Sequence, residues 1–260
     1  MIRNMQKLFD LSGKAAVITG AGSGLGQGIA EGYAQLGAGV SVVDINPEAA
    51  QSVADGIQAE GGKAISIPCD VTQADQVQAA VAQTLQEFGK IDVLVANASI
   101  GDRNPAEEMT DQQWERVMDI NLTGVWLFNQ AVGKHMIKRG EGGRIINMAS
   151  IGGIVGVETG NANYCASKGG IIALTRCLAI EWAKHNILVN AIAPSHIRTP
   201  LIAKLMQDKP EVRTYYLNNI ALNRLGEVED VVGPAIFLAS DAAAFVTGHV
   251  LVADGGHTAK

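Results

Sequence analysis

Residues 15–26 read Ala-Ala-Val-Ile-Thr-Gly-Ala-Gly-Ser-Gly-Leu-Gly. The first five, Ala15–Thr19, form a short apolar run suited to a strand buried on both faces of a parallel sheet. Gly20, Gly24 and Gly26 follow with GxxxGxG spacing, and a helical pattern opens behind them. A strand-to-helix turn of this kind uses glycine for positive φ and for close approach of a ligand to backbone. The helix start behind it offers free N–H groups and a partial positive charge. Strand, turn and helix together form an anion cradle. Gly28 and Gly32, further along, are read as helix-packing positions.

Outward from this unit the same rhythm continues. Candidate strands lie at Ala15–Thr19, Val40–Asp44, Ala64–Pro68, Ile91–Asn97, Arg144–Ala149, Ile187–Ala193 and Val250–Ala253. Between them run helical patterns. Asn46-Pro47 reads as an N-cap with proline in the first turn, followed by the stripe Ala50, Val53, Ala54 and Ile57. Val77, Val81, Leu85 and Phe88 mark the next helix, and Thr110 with Gln113 has capping-box spacing. The expected fold is a single α/β domain over 1–260, doubly wound and Rossmann-type, with a seven-stranded parallel sheet flanked by helices on both faces. The longest break in the rhythm, 195–225, falls after the carboxyl end of a strand and is read as a substrate lid, with packing against another subunit as the second reading.

Composition sets the outer limits. The 260 residues are 47% hydrophobic and 18% charged, with a net charge of -6 and no block of like charge. Nucleic acid and anionic membrane are therefore not expected as partners. No apolar run reaches the length of a membrane span, and residues 1–10 lack a signal-peptide core. Cys69, Cys165 and Cys177 are odd in number and form no CxxC, which suits a reducing cytoplasm. His135, His185, His196, His249 and His257 show no metal-ligand spacing, so no metal is expected.

Chemistry is concentrated in three residues. Tyr164 and Lys168 lie one helical turn apart in Asn-Tyr-Cys-Ala-Ser-Lys, and Ser150 stands fourteen positions before Tyr164. A tyrosine of ordinary pKa, about 10, is a poor base at neutral pH. A lysine on the same helical face lowers it electrostatically. Each residue alone has a plain structural reading: packing, a surface charge, a strand-end cap. Asp44, eighteen positions past Gly26, can accept both ribose hydroxyls of an adenosine and would repel a 2′-phosphate. Ile45, Asn46 and Pro47 follow it and position 23 is Ser, so no cation is at hand for that phosphate. The expected cofactor is NAD.

In this combination the chain resembles the short-chain dehydrogenase/reductase family, from Leu11 to Gly256. The resemblance rests on the glycine turn, Asp70-Val71, Asn97-Ala98, Asn121, Ser150, Tyr164-xxx-Lys168, and Pro194 with Thr199. It implies that Tyr164 is the general base or acid, that Ser150 orients the substrate oxygen, and that Lys168 holds the nicotinamide ribose. Asn121 would anchor a relay water. The implied cofactor contacts are Gly20, Ser23, Gly24, Leu25, Gly26, Asp44, Asp70, Val71, Asn97, Ala98, Tyr164, Lys168, Pro194, Ile197 and Thr199. The family implies a homotetramer, here through helices starting near Thr110 and Asn163. Three positions depart from its pattern: Ser99 and Ser195 replace usual glycines, and Ser150 precedes Tyr164 by fourteen residues where thirteen is frequent.

For the substrate, Glu158, Thr159, Asn161, Asn163, Asp102, Arg103, Asn104 and Arg198 suggest a polar pocket. The expected substrate is a sugar, polyol or hydroxy acid carrying a secondary alcohol or ketone. His196 is either a substrate contact or a satisfied loop residue. Residues 181–194 are similar to stretches of gluconate and deoxygluconate dehydrogenases. Two other readings stay open: a 3-oxoacyl-thioester reductase, and a dinucleotide-binding scaffold without turnover.

Overall fold

The computed structural model describes residues 5–157, 160–199 and 210–259. Seven strands form one sheet: β1 (Ala15–Thr19), β2 (Gly39–Asp44), β3 (Lys63–Pro68), β4 (Val93–Ala96), β5 (Gly143–Met148), β6 (Ile187–Pro194) and β7 (Val250–Ala253). Their spatial order is β3-β2-β1-β4-β5-β6-β7, every pair parallel. β1 pairs with β2 on one side and β4 on the other, so the strand order reverses beside the glycine turn. Ligands bind outside the carboxyl ends of strands at such a reversal. The fourth strand is shorter than the sequence suggested, and Asn97 stands just beyond its end.

Alternation along the strands feeds two separate cores. Ala16 and Ile18 of β1, Val40 and Val42 of β2, and Val93 and Val95 of β4 face the helices Gly24–Gln35, Pro47–Ala59 and Glu229–Ala239. Val17, Val43, Leu94 and Ala96 face the other side, against the helices Ala74–Phe88, Gly124–Arg139 and Ala162–Trp182. Fully burying each larger aliphatic side chain contributes roughly 1.5–3 kcal/mol, so the central strands stabilise both layers at once.

Local signals hold up well. Asn46 caps Pro47–Ala59 by accepting from Glu48 N and Ala49 N, and Ala50, Val53, Ala54 and Ile57 are its buried face. Thr110 and Gln113 form a reciprocal capping box at the start of Asp111–Met118. That helix runs through a π-helical turn, Asp119–Thr123, into Gly124–Arg139. A Cβ on Gly28 or Gly32 would run into Val228 or Val232, so these glycines let Gly24–Gln35 lie close to Glu229–Ala239. Within the expected lid, the helix Pro210–Asn219 is described, while residues 200–209, Met206 among them, lie outside the described residues.

Candidate active site

The first part of the site is the turn after β1. Gly20 and Gly24 have φ of +61° and +57°, the left-handed region that favours glycine. A Cβ on Gly26 would overlap the Gly20 carbonyl oxygen and stand 2.7 Å from Asn97 Nδ2. Asn97 fastens the turn: its Nδ2 donates to Thr19 O at 3.0 Å and Gly20 O at 3.1 Å. The Thr19 hydroxyl accepts from Asn97 N and Ala98 N at 2.9 and 3.0 Å, locking the ends of β1 and β4 together. No local signal marks this role of Thr19, since its partners lie almost eighty residues away.

A cleft of about 500 Å³ opens over this turn. Gly20, Ser23, Gly24, Leu25, Asp44, Asp70, Val71, Asn97, Ala98 and Thr199 line it. Gly26 does not line it; its part is the close contact beneath. Asp44 is fixed in place, accepting from Gly22 N on one oxygen and Asn46 N on the other, both at 2.9 Å. The Asp70 carboxylate accepts from Thr72 N and the Thr72 hydroxyl at 2.9 and 2.8 Å. A backbone cradle with no room for a Cβ at Gly20 or Gly26 and a carboxylate held at the end of β2 fit a dinucleotide.

The second cavity, about 570 Å³, shares Leu25, Asn97, Ser99, Ile100 and Thr199 with the first, so the two form one cleft. Ser150, Tyr164, Lys168, Pro194 and Ile197 line it together. Ser150 follows β5 and its Oγ accepts from Gly152 N at 3.1 Å. Tyr164 and Lys168 project from Ala162–Trp182. Lys168 is 2% exposed, donates from Nζ to Met148 O at 2.8 Å, and lies 5.5 Å from the centre of the Tyr164 ring. Burial pushes its pKa down to about 7, because the charged ammonium has lost its water.

The Asn121 side chain also supports the cavity wall. It is fully buried in the π-helical turn. Its Oδ1 accepts from Ile100 N at 2.8 Å, and its Nδ2 donates to Ile100 O at 2.9 Å and Ser167 Oγ at 3.2 Å. The side chain clamps the Ser99–Gly101 wall of the cavity, leaving no side-chain hydrogen bond to Lys168 among those described.

The polar lining is also redrawn. Arg103 and Asn161 line the cavity as expected. Asn163 instead ties its helix to the preceding segment, donating to Asp102 O at 3.0 Å and Gln113 O at 3.3 Å. Asp102 pairs with Gln113 and Arg116, Asn104 donates to Glu108 O, and Arg198 pairs with Glu227. Glu158 and Thr159 lie outside the described residues. In their place Ser99, Ser195, His196 and Tyr216 line the cavity. His196 stacks on Tyr216 with ring centres 3.6 Å apart. Burial pushes its pKa down to about 4, assisted by repulsion from His257 and Arg103, so the imidazole is neutral at pH 7. Among the described residues no carboxylate lines this cavity.

A family model described as "Enoyl-(Acyl carrier protein) reductase" matches residues 20–258. The chain is 42% identical to a 2,5-dichloro-2,5-cyclohexadiene-1,4-diol dehydrogenase of Sphingobium indicum, over 96% of this chain and 99% of that protein. It is 41% identical to a D-threitol dehydrogenase of Mycolicibacterium smegmatis, over 97% and 95% of the two chains. It is 40% identical to a 2-dehydro-3-deoxy-D-gluconate 5-dehydrogenase of Escherichia coli, over 97% and 98%. Among solved structures, a short-chain type dehydrogenase/reductase from Mycobacterium marinum superimposes with a TM-score of 0.94 at 40% identity, covering 99% of this chain and 100% of that one. A gluconate 5-dehydrogenase from Burkholderia cenocepacia, in complex with NADP and tartrate, gives 0.93 at 36% identity, covering 99% and 100%.

Proposed function

Because the chain belongs to the short-chain dehydrogenase/reductase family, we propose that its cleft oxidises a secondary alcohol of a polyhydroxylated small molecule, or reduces the matching ketone, with NAD(H). The carrying observation is the convergence of Ser150, Tyr164 and Lys168 on a cavity continuous with the glycine cradle. The nicotinamide supplies the hydride chemistry when bound. Gly20, Ser23, Gly24 and Leu25 would hold the pyrophosphate side, Asp44 the adenosine ribose, Asp70 and Val71 the adenine. Asn97, Ala98, Pro194, Ile197 and Thr199 would hold the nicotinamide side.

Proton transfer belongs to the chain's own residues. Ser150 donates a hydrogen bond to the substrate oxygen and fixes it beside Tyr164. Tyr164 takes the hydroxyl proton in oxidation and returns it in reduction. Lys168, in its charged form, stabilises the Tyr164 phenolate and holds ribose hydroxyls. Because both polar ends of the Asn121 side chain are engaged, the relay water falls to its backbone carbonyl in the π-helical turn. The substrate class follows the cavity, where Arg103, Asn161, Ser99 and Tyr216 offer polar groups, and the names of the polyol and sugar-acid relatives point the same way.

The NAD reading rests on Asp44, whose two oxygens are already aimed by Gly22 N and Asn46 N. A 2′-phosphate would meet that carboxylate with no Lys or Arg next to it in sequence. The NADP in the Burkholderia neighbour makes this the point to test. Asp44→Ala is expected to reduce the NAD-over-NADP ratio of kcat/KM at least tenfold, about 1.4 kcal/mol of lost discrimination. An unchanged ratio would remove Asp44 from cofactor selection. The same carboxylate weighs against a 3-oxoacyl-thioester reductase using NADPH. Large exposed side chains on the helices Asp111–Met118, Gly124–Arg139 and Ala162–Trp182, namely Trp114, Trp126 and Ile180, support assembly as a homotetramer. Three free cysteines support a cytoplasmic setting.

A further inference from the structure

Tyr216 raises a question that packing does not answer. It lies on the helix Pro210–Asn219, is 1% exposed, and lines the same cavity as Tyr164 and Ser150. Its hydroxyl has no hydrogen-bond partner among the described residues. Leaving a buried hydroxyl unsatisfied costs about 1–3 kcal/mol, and phenylalanine would fill the same space without that cost. The ring is also held with care. His196, from the segment after β6, lies flat against it, 3.6 Å between centres and 15° between planes. His257, in the turn His257–Ala259, stands 5.6 Å from His196 at a tilt. The phenol at the wall of the substrate cavity is therefore held by His196, which itself has His257 as a neighbour. Burial, with Arg103 nearby, disfavours the charged form of His196, so the imidazole stacks as a neutral ring.

We infer that Tyr216 is a specificity residue whose hydroxyl hydrogen-bonds a hydroxyl or carboxylate of the substrate remote from the reacting carbinol, and that His196 is the positioning residue that presents it. The inference rests on the oxidoreductase reading above and narrows it: the substrate carries a second polar group beyond the carbon that exchanges hydride. A small monofunctional alcohol reaches Ser150 and Tyr164 but leaves Tyr216 without a partner. Tyr216 and His196 thus act on binding of the substrate's far end, and the proton path through Tyr164 is untouched.

The test is steady-state kinetics of the NAD-loaded enzyme with D-gluconate and D-threitol as polyhydroxylated probes and cyclohexanol as the monofunctional one. Tyr216→Phe keeps the ring and its stack. It is expected to raise KM for the polyhydroxylated probe about tenfold, the worth of one hydrogen bond, with kcat and the cyclohexanol constants within twofold. His196→Ala should reproduce that pattern, and His196→Phe, which restores a flat partner, should rescue it. A merely structural pair would shift all substrates alike or shift melting temperature only. Unchanged KM in Tyr216→Phe or equal losses on all three probes would each overturn the inference and leave the oxidoreductase reading standing, whereas wild-type turnover of cyclohexanol alone would overturn the inference together with the polyhydroxylated substrate class. Absence of turnover on every probe with either nicotinamide would overturn that reading and the inference with it.

Discussion

Tyr164→Phe is expected to lower kcat about 10³-fold, within the range that a positioned acid or base supplies. Binding of the dinucleotide should stay within about twofold, because the change removes one oxygen from a ring that keeps its place on Ala162–Trp182. Cofactor binding is read by quenching of intrinsic fluorescence, turnover by reduced-nicotinamide absorbance. The split between the two readings is the point. If binding fell together with turnover, the phenol would be a structural element of the cleft. If turnover persisted, the proton would travel by another route, and Ser150 would be the next group to remove.

Lys168→Met has a second large effect, with opposite signs on activity and stability. The ammonium is buried, donates a hydrogen bond to Met148 O and has the Tyr164 ring beside it. Its loss removes the charge that stabilises the phenolate, and kcat/KM is expected to fall about 10²-fold or more. The unliganded protein should become more stable at pH 7. The folded pKa, about 7, lies below the unfolded value. Between those two the unfolded chain binds more protons, so the native state is penalised for a lysine it must partly neutralise. The penalty is full below pH 7 and fades as pH rises toward the unfolded pKa. Denaturant unfolding should therefore show Lys168→Met more stable by about 2 kcal/mol at pH 7, after allowing for the Met148 carbonyl left without its donor, and the difference should shrink by pH 10. A destabilised variant at pH 7 would mean that the ammonium is better solvated than its burial implies.

The parts legible in the sequence are those coded by neighbours. The strand and glycine turn at 15–26, the Asn46 cap, the Thr110 capping box and the pair Tyr164 and Lys168 are each set within one or two turns of chain. Alternating burial made the sheet readable as well, since Val17 and Ile18 go to opposite cores. What escaped depends on distant partners. Asn163 looked like a pocket residue because it precedes Tyr164, yet its amide is spent on Asp102 O and Gln113 O. The clamp of the Asn121 side chain on Ile100, twenty-one positions away, had no signal in sequence either. Tyr216 stood out only as an aromatic of the expected lid, and its place in the cavity wall and its stack on His196 came from the fold. The departures Ser99 and Ser195 do line the cavity, so they add hydroxyls where the family pattern has bare backbone.

The central claim is hydride transfer between a polyhydroxylated secondary alcohol or ketone and NAD(H). Its most direct test is a panel of alditols, aldonates, hydroxy acids, simple secondary alcohols and steroids, each run with NAD+ and NADP+ and followed at the reduced-nicotinamide absorbance. The account predicts turnover with NAD+ on an alditol, aldonate or hydroxy acid, and lower kcat/KM on that compound with NADP+. Turnover confined to NADP+, or to apolar alcohols and steroids, would contradict it.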